Sequence, residues 1–313
     1  MKLSTLVSFR NNLQSLIPVD SAPFVHKQLA TLVHTVKAAE FQNPALTEQL
    51  ESDYNKIVDN ITEFEETVLK ITEAIDGTIA HFETSYYNDS KILYAEMMDH
   101  DSVGHILNRR FTLSEAAEEF ISARIQLHGL WQHAGMIIRP GHEDWIDMLV
   151  GCDPLYLVDT SLALVEPAVL RFNDQYKRRL RTYVSHEELG ANVLRELPDS
   201  QFAYCLAYNF FNFKPEHVIF LYLDDVFKKL KPGGEFAFTF NDGDRAGAVR
   251  LAEQNYSFYT PGNKIYAHAK KLGFVVHQTY DINQACTWVE LHKPGTLESL
   301  RGGQSLAEVV PKT

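Results

Sequence analysis

Between residues 44 and 81 apolar side chains return every three or four positions. Ile57, Ile61, Phe64, Val68, Ile71 and Ile75 form one narrow stripe, extended upstream by Leu46, Leu50 and Tyr54 and downstream by Ile79 and Phe82. That spacing keeps a single helical face apolar. Asp and Glu crowd the other faces. At ~1.5 Å per residue the helix is long, and it cannot bury the stripe alone. It needs either a second helix of the same chain, with residues 24–41 the candidate, or a second copy. A helical bundle and a coiled-coil dimer both satisfy the pattern. A break is expected at 86–90, then helices over 91–98 and 102–110. Thr112-Leu-Ser-Glu115 has the spacing of a capping box, so a further helix is expected from there to about residue 129.

From Gly135 the period changes. Seven short apolar runs follow: MIIR (136–139), LYLVDTS (155–161), RTYVS (181–185), FAYCLAYN (202–209), EFAFTF (235–240), FVVHQTY (274–280) and CTWVELH (286–292). Helical patterns lie between them at 143–150, 162–180, 215–230, 245–255 and 263–272. Strands alternating with helices predict a parallel sheet with right-handed crossovers. The last two strands have no helix between them and are expected to pair antiparallel. The expected fold is α/β, a seven-stranded, mostly parallel sheet with its last strand antiparallel, preceded by an all-α domain.

Charge divides the chain in the same place. The whole sequence of 313 residues carries a formal net charge of −12. Residues 1–130 hold 10 Lys and Arg against 19 Asp and Glu, whereas residues 131–313 hold 19 against 22. The expected organisation is therefore an acidic helical domain at 1–130, an α/β domain at 131–294 and a polar tail at 295–313. Such acidity argues against holding nucleic acid or an anionic membrane by bulk charge. The three cysteines, Cys152, Cys205 and Cys286, are far apart and form no C-x-x-C pair. That argues against a disulfide scaffold and a thiolate metal site. The N-terminal residues have no continuous apolar core, and no apolar run reaches the ~18–20 residues of a membrane span. The expected location is the cytoplasm.

Four segments of residues 131–294 resemble the class I S-adenosylmethionine-dependent methyltransferases. LYLVDTS ends a strand in Asp159; LPDSQFAYCLAYNFFNF (197–213) leads into a fourth strand; VFKKLKPGGEFAFTF (226–240) has the helix, Lys-Pro-Gly-Gly turn and apolar strand of that family; FYTPGNKIYAHAKKLGFVV (258–276) has its Tyr-Thr-Pro helix and Gly-Phe strand. The resemblance implies a Rossmann-like sheet and S-adenosylmethionine as cofactor. The methyl acceptor it implies is an oxygen or nitrogen of a small-molecule or protein substrate. It places Asp159 on the ribose hydroxyls and Arg139, Gly141, Thr160, His186, Asn209 and Phe210 around the cofactor, with Glu187 an alternative to His186. An ionised Asp159 has the acceptors for two hydroxyl donors; as a plain turn or cap before Leu162 it needs no ligand. No catalytic residue is assigned.

The first loop departs from the family. Several glycines are expected there, and this chain has Arg139-Pro-Gly-His142. The departure motivates an alternative, a non-catalytic structural or assembly protein on a degenerate methyltransferase-like domain, oligomerising through its helices. A side chain of Arg139, Pro140 or His142 lying in the pocket favours that alternative. Three further features have plain readings. Asn241-Asp-Gly-Asp244 reads as an Asp-Gly turn rather than a cation loop, Lys177-Arg-Arg-Leu-Arg181 as a solvated helix end, and His100 and His105 as structural histidines. No metal site is expected.

Overall fold

The computed structural model describes residues 2–16, 44–100, 113–129, 133–140, 145–254 and 257–295. The chain forms two compact units, Met1–Tyr86 and Tyr87–Thr313.

The first unit holds helix α1 (Leu3–Leu16) and the long helix α2 (Pro44–His100) as far as Tyr86, joined by an ion pair, Arg10 to Asp76 at 3.6 Å. Leu6, Val7, Val68, Ile75 and Ile79 are buried. Ile57, Phe64 and Ile71, also on the stripe, are exposed. The break expected at 86–90 does not occur, since α2 runs unbroken for 57 residues. Ser90, a poor helix former, is buried there and returns its hydroxyl to the Tyr87 carbonyl at 2.9 Å. The expected helix at 102–110, and residues 24–41, the candidate partner of the long helix, lie outside the described residues.

The second unit takes in the end of α2 from Tyr87 onward and then α3 (Glu115–His128), capped by Ser114, whose side chain accepts from the Ala117 amide. It continues through β1 (Ala134–Ile138), α4 (Trp145–Met148), β2 (Leu155–Asp159), α5 (Leu162–Leu170), α6 (Asp174–Lys177), β3 (Leu180–Val184) and β4 (Phe202–Ala207). After these come α7 (Glu216–Lys229), β5 (Leu230–Asn241), α8 (Ala246–Glu253), α9 (Gly262–Leu272), β6 (Val275–Asp281) and β7 (Cys286–His292). The strand order is β3-β2-β1-β4-β5-β7-β6. Strands β1 to β5 are parallel to one another, and β7 runs antiparallel between β5 and β6. This is a Rossmann-like α/β fold with a seven-stranded, mostly parallel sheet.

β1 and β2 are buried at every position, as central parallel strands covered on both faces must be. Alternate residues enter different cores. Met136 and Ile138 join Tyr222 and Val226 of α7 and Ile265 of α9. Ile137 joins Ile121 and Ile125 of α3 and Trp145 of α4.

Two local expectations change. The single helix over 162–180 is two helices, because Asn173 caps a second start by accepting from the Tyr176 amide. The Lys-Pro-Gly-Gly segment is the start of β5 rather than a turn before it: Gly233 donates to the Lys293 carbonyl and Lys293 to the Gly234 carbonyl. The β4–β5 register shifts between Phe202 and Tyr204 to take up the extra residues.

Candidate functional site

In open parallel sheets ligands sit beyond the carboxyl ends of the strands, where the strand order reverses. Here that point lies between β1 and β4. The chain leaves β1 at Arg139, β2 at Asp159, β3 at Ser185 and β4 at Tyr208.

Arg139 has φ 58°, the left-handed conformation that glycine adopts freely and other residues adopt at a cost. The backbone thus keeps a glycine-loop turn while the residue carries a long cationic side chain. That side chain turns onto β2. Its Nε donates to Asp159 Oδ2 at 3.1 Å and its Nη2 to Asp159 Oδ1 at 3.3 Å. Asp159 is 0% exposed, and its Oδ1 also accepts from the Thr160 amide at 2.7 Å and the Thr160 hydroxyl at 3.3 Å. The helix cap that follows is Ser161, not Asp159. Arg139, Asp159 and Thr160 therefore come together as expected of neighbours in one site, but they bond one another. Gly141 and His142 lie outside the described residues.

Phe210 joins this group. It is fully buried, with the Arg139 guanidinium 5.0 Å and the Lys214 ammonium 4.7 Å from its ring centre. Asn209, the residue before it, is also left-handed (φ 52°), and its amide donates to Thr239 Oγ1 at 2.7 Å. Thr239 in turn donates to Asn212, and Asn212 to Asn241, so a chain of buried polar groups braces the ends of β4 and β5.

His186 stands apart. Its ring nitrogens face Glu188 and Glu196, both at 3.1 Å. Its neighbour Glu187 turns inward instead and meets Lys214 at 2.8 Å. The Tyr94 hydroxyl donates to Glu187 and accepts from Lys214. Tyr222 also bonds Glu187, at 2.8 Å, and Ser185, at 2.7 Å. Burial alone would raise the Glu187 carboxyl; Lys214 and the two tyrosine hydroxyls outweigh it and hold the group below its ordinary value. Burial likewise pushes Lys214 down. Lys214, Tyr94 and Tyr222 are absent from the sequence-based site. A lone lysine inside Phe-Asn-Phe-Lys-Pro was a readable signal; Tyr94, 93 residues from Glu187, offered none.

Two other candidates take their plain readings, while His105 and the His100 side chain lie outside the described residues. Asp242 Oδ1 accepts from the amides of Asp244 and Gly262, closing an Asp-Gly turn. Arg179 pairs with Asp153 and Lys177 with Asp174 at a helix end. A cavity of about 390 Å³ lies against α5 and β3, lined by Leu162, Val165, Glu166, Val169, Leu170 and Thr182, none of them a cofactor position. No helix among the described residues is long and apolar enough to cross a membrane.

Three solved structures show what the chain is similar to. A geranyl diphosphate C-methyltransferase from Streptomyces coelicolor A3(2), in complex with Mg2+, geranyl diphosphate and S-adenosyl-L-homocysteine, is 10% identical over 56% of this chain and 79% of its own, with a TM-score of 0.46. The N-methyltransferase NodS from Bradyrhizobium japonicum WM9, in complex with S-adenosyl-L-homocysteine, is 13% identical over 57% and 87%, with a TM-score of 0.44. A SAM-dependent methyltransferase from Aquifex aeolicus is 11% identical over 64% and 98%, with a TM-score of 0.42. No family model and no curated protein matches the sequence.

Proposed function

We propose that this chain is a methyltransferase that takes S-adenosylmethionine at the carboxyl edge of its sheet and passes the methyl group to an oxygen or nitrogen of its substrate. The supporting observation is the retained frame: an acid ends β2 beside the switch in strand order, next to a left-handed turn after β1. Asp159 would hold the ribose hydroxyls, with Thr160, Asn209 and Phe210 beside it. As they stand, the residues do not admit a ribose, because Arg139 takes both carboxylate oxygens. Binding requires Arg139 to leave. Methyl transfer from a sulfonium can rest on proximity and alignment, so no general base is assigned.

A second reading has its own observation. The same Arg139 fills the position that would mark a structural or assembly protein on a degenerate domain, with α2 making the contacts through its exposed stripe. Calorimetric titration of the protein and of Arg139→Gly with S-adenosylmethionine and S-adenosylhomocysteine separates the two. Binding by the natural chain, weakened by Asp159→Ala, supports the enzyme. Binding by Arg139→Gly alone supports a scaffold whose pocket has been plugged. Heat from neither overturns the cofactor site.

A further inference from the structure

On the α3-covered face of the sheet, toward the opposite edge from Asp159, five polar side chains converge. Tyr204 on β4 lies across from Glu235 on β5, and Glu235 across from His292 on β7. Residues opposite one another in register share a face. Glu290, two residues before His292, shares it as well. His277 reaches the group through an irregularity in β6. The pairing with β7 shifts between Val276 and Gln278, leaving His277 as the extra residue. Such bulges re-aim a side chain, and His277 Nδ1 lies 2.7 Å from Glu235 Oε1.

The geometry points to a divalent transition-metal site at Glu235, His277 and Glu290, with zinc the reference ion. One ligand atom from each of the three lies within 4.8 Å of the others, a spacing that ~2 Å metal–ligand bonds can span with little movement. One imidazole and two carboxylates are ligand types that zinc accepts. The carboxylates are buried, at 5% and 1% exposure for Glu235 and Glu290; Glu290 is paired with Arg124, whereas Glu235 has only the imidazoles of His277 and His128 beside it.

A second observation marks the same spot. The Tyr204 hydroxyl is buried and has no hydrogen-bond partner among the described residues, and it lies close enough for Glu290 and Glu235 to act on it electrostatically. A buried orphan hydroxyl is costly; an ion, or water on an ion, would satisfy it. Outer contacts are already present. Arg124 donates to both oxygens of Glu290 and Trp288 Nε1 to Oε1 at 2.9 Å, so an ion bound by Glu290 would displace one of these donors and keep the others. Secondary contacts of this kind orient ligating carboxylates. His128, stacked on Tyr204 with ring centres 4.4 Å apart, brings Nε2 to 3.3 Å from Glu235 Oε2. His277 is 54% exposed, which gives an ion a way in. The site would tie the start of β5 to β6 and β7, a structural role independent of the cofactor.

The test is titration of the full chain, stripped with a chelator, with zinc chloride. One ion per chain is expected, with a rise in melting temperature. His277→Ala, at an exposed position, should weaken binding at least tenfold while leaving circular dichroism unchanged, and Glu235→Gln should do the same. Cobalt substitution should give the visible absorption of a four-coordinate site. No saturable binding overturns the site. So does binding that both variants leave unchanged, which would place the ion elsewhere among the chain's 13 histidines.

Discussion

Arg139 and Asp159 face each other across the carboxyl ends of β1 and β2, guanidinium nitrogens to carboxylate oxygens at 3.1 and 3.3 Å. Asp159 has no exposure to water. Removing one partner of such a pair strands a buried charge and typically costs ~3–5 kcal/mol, whereas replacing both with apolar groups can be neutral. Arg139→Met should therefore lower stability by several kcal/mol in urea unfolding, and Arg139→Met with Asp159→Leu should recover most of that loss. If the double variant is no more stable than the single, the pair is not an energetic unit.

The second ion pair makes the fold acid-sensitive. Glu187 is held below its ordinary value of 4.5, with burial opposed by Lys214, Tyr94 and Tyr222. A carboxyl whose folded pKa is depressed contributes stability that is complete above the unfolded value and disappears as pH falls through the folded one. Melting temperature should therefore drop as pH falls below about 4.5. Tyr94→Phe removes one donor to the carboxylate. It should cost about 1.5–3 kcal/mol near neutrality and move the acid transition to higher pH. A Tyr94→Phe profile that parallels the natural one would exclude the hydroxyl from holding Glu187.

The seven strands are legible because each is a short apolar run bounded by turn residues. The antiparallel ending is legible because no helix separates 274–280 from 286–292. The length of α2 is not. Tyr86-Tyr-Asn-Asp-Ser90 carries weak helix formers, and only the burial of Ser90 and its bond back to Tyr87 show how the helix absorbs them. At the site, Asp159 can be placed from its position after LYLV, but its partner cannot. Whether Arg139 points to solvent or onto β2 depends on a left-handed backbone that the sequence does not announce for arginine. His186 and Glu187 are adjacent, and only the Glu187–Leu189 turn decides which faces Lys214.

Two glycines should respond oppositely to alanine. A Cβ at Gly234 would stand 2.9 Å from the Lys231 carbonyl oxygen, 3.0 Å from that of Phe202 and 3.2 Å from that of Ala203. These are backbone atoms at the β4–β5 register shift, so relief means moving the sheet. At Gly77, inside α2, a Cβ meets nothing within 4 Å. Gly77→Ala should stabilise the helical unit by about 0.5–1 kcal/mol, while Gly234→Ala destabilises the sheet unit. Equal effects of the two changes would contradict the close approach at Gly234.

The stripe on α2 is only half covered. Val68, Ile75 and Ile79 are at 5%, 8% and 5% exposure, yet Ile57, Phe64 and Ile71, seven residues apart, are at 44%, 52% and 40%. A seven-residue repeat of exposed apolar side chains is the seam on which two helices supercoil. Burying one such side chain is worth about 1.5–3 kcal/mol. In the coiled-coil alternative of the sequence analysis two copies pair along this row, and sedimentation equilibrium would then show mass rising toward a dimer with concentration. Phe64→Glu places a charge at the middle of the row, and Phe64 belongs to a different unit from the cofactor and metal residues. It should return the protein to monomer without altering cofactor or zinc titrations. A natural chain that stays monomeric across the concentration series would rule out the seam and leave the exposed row to another partner.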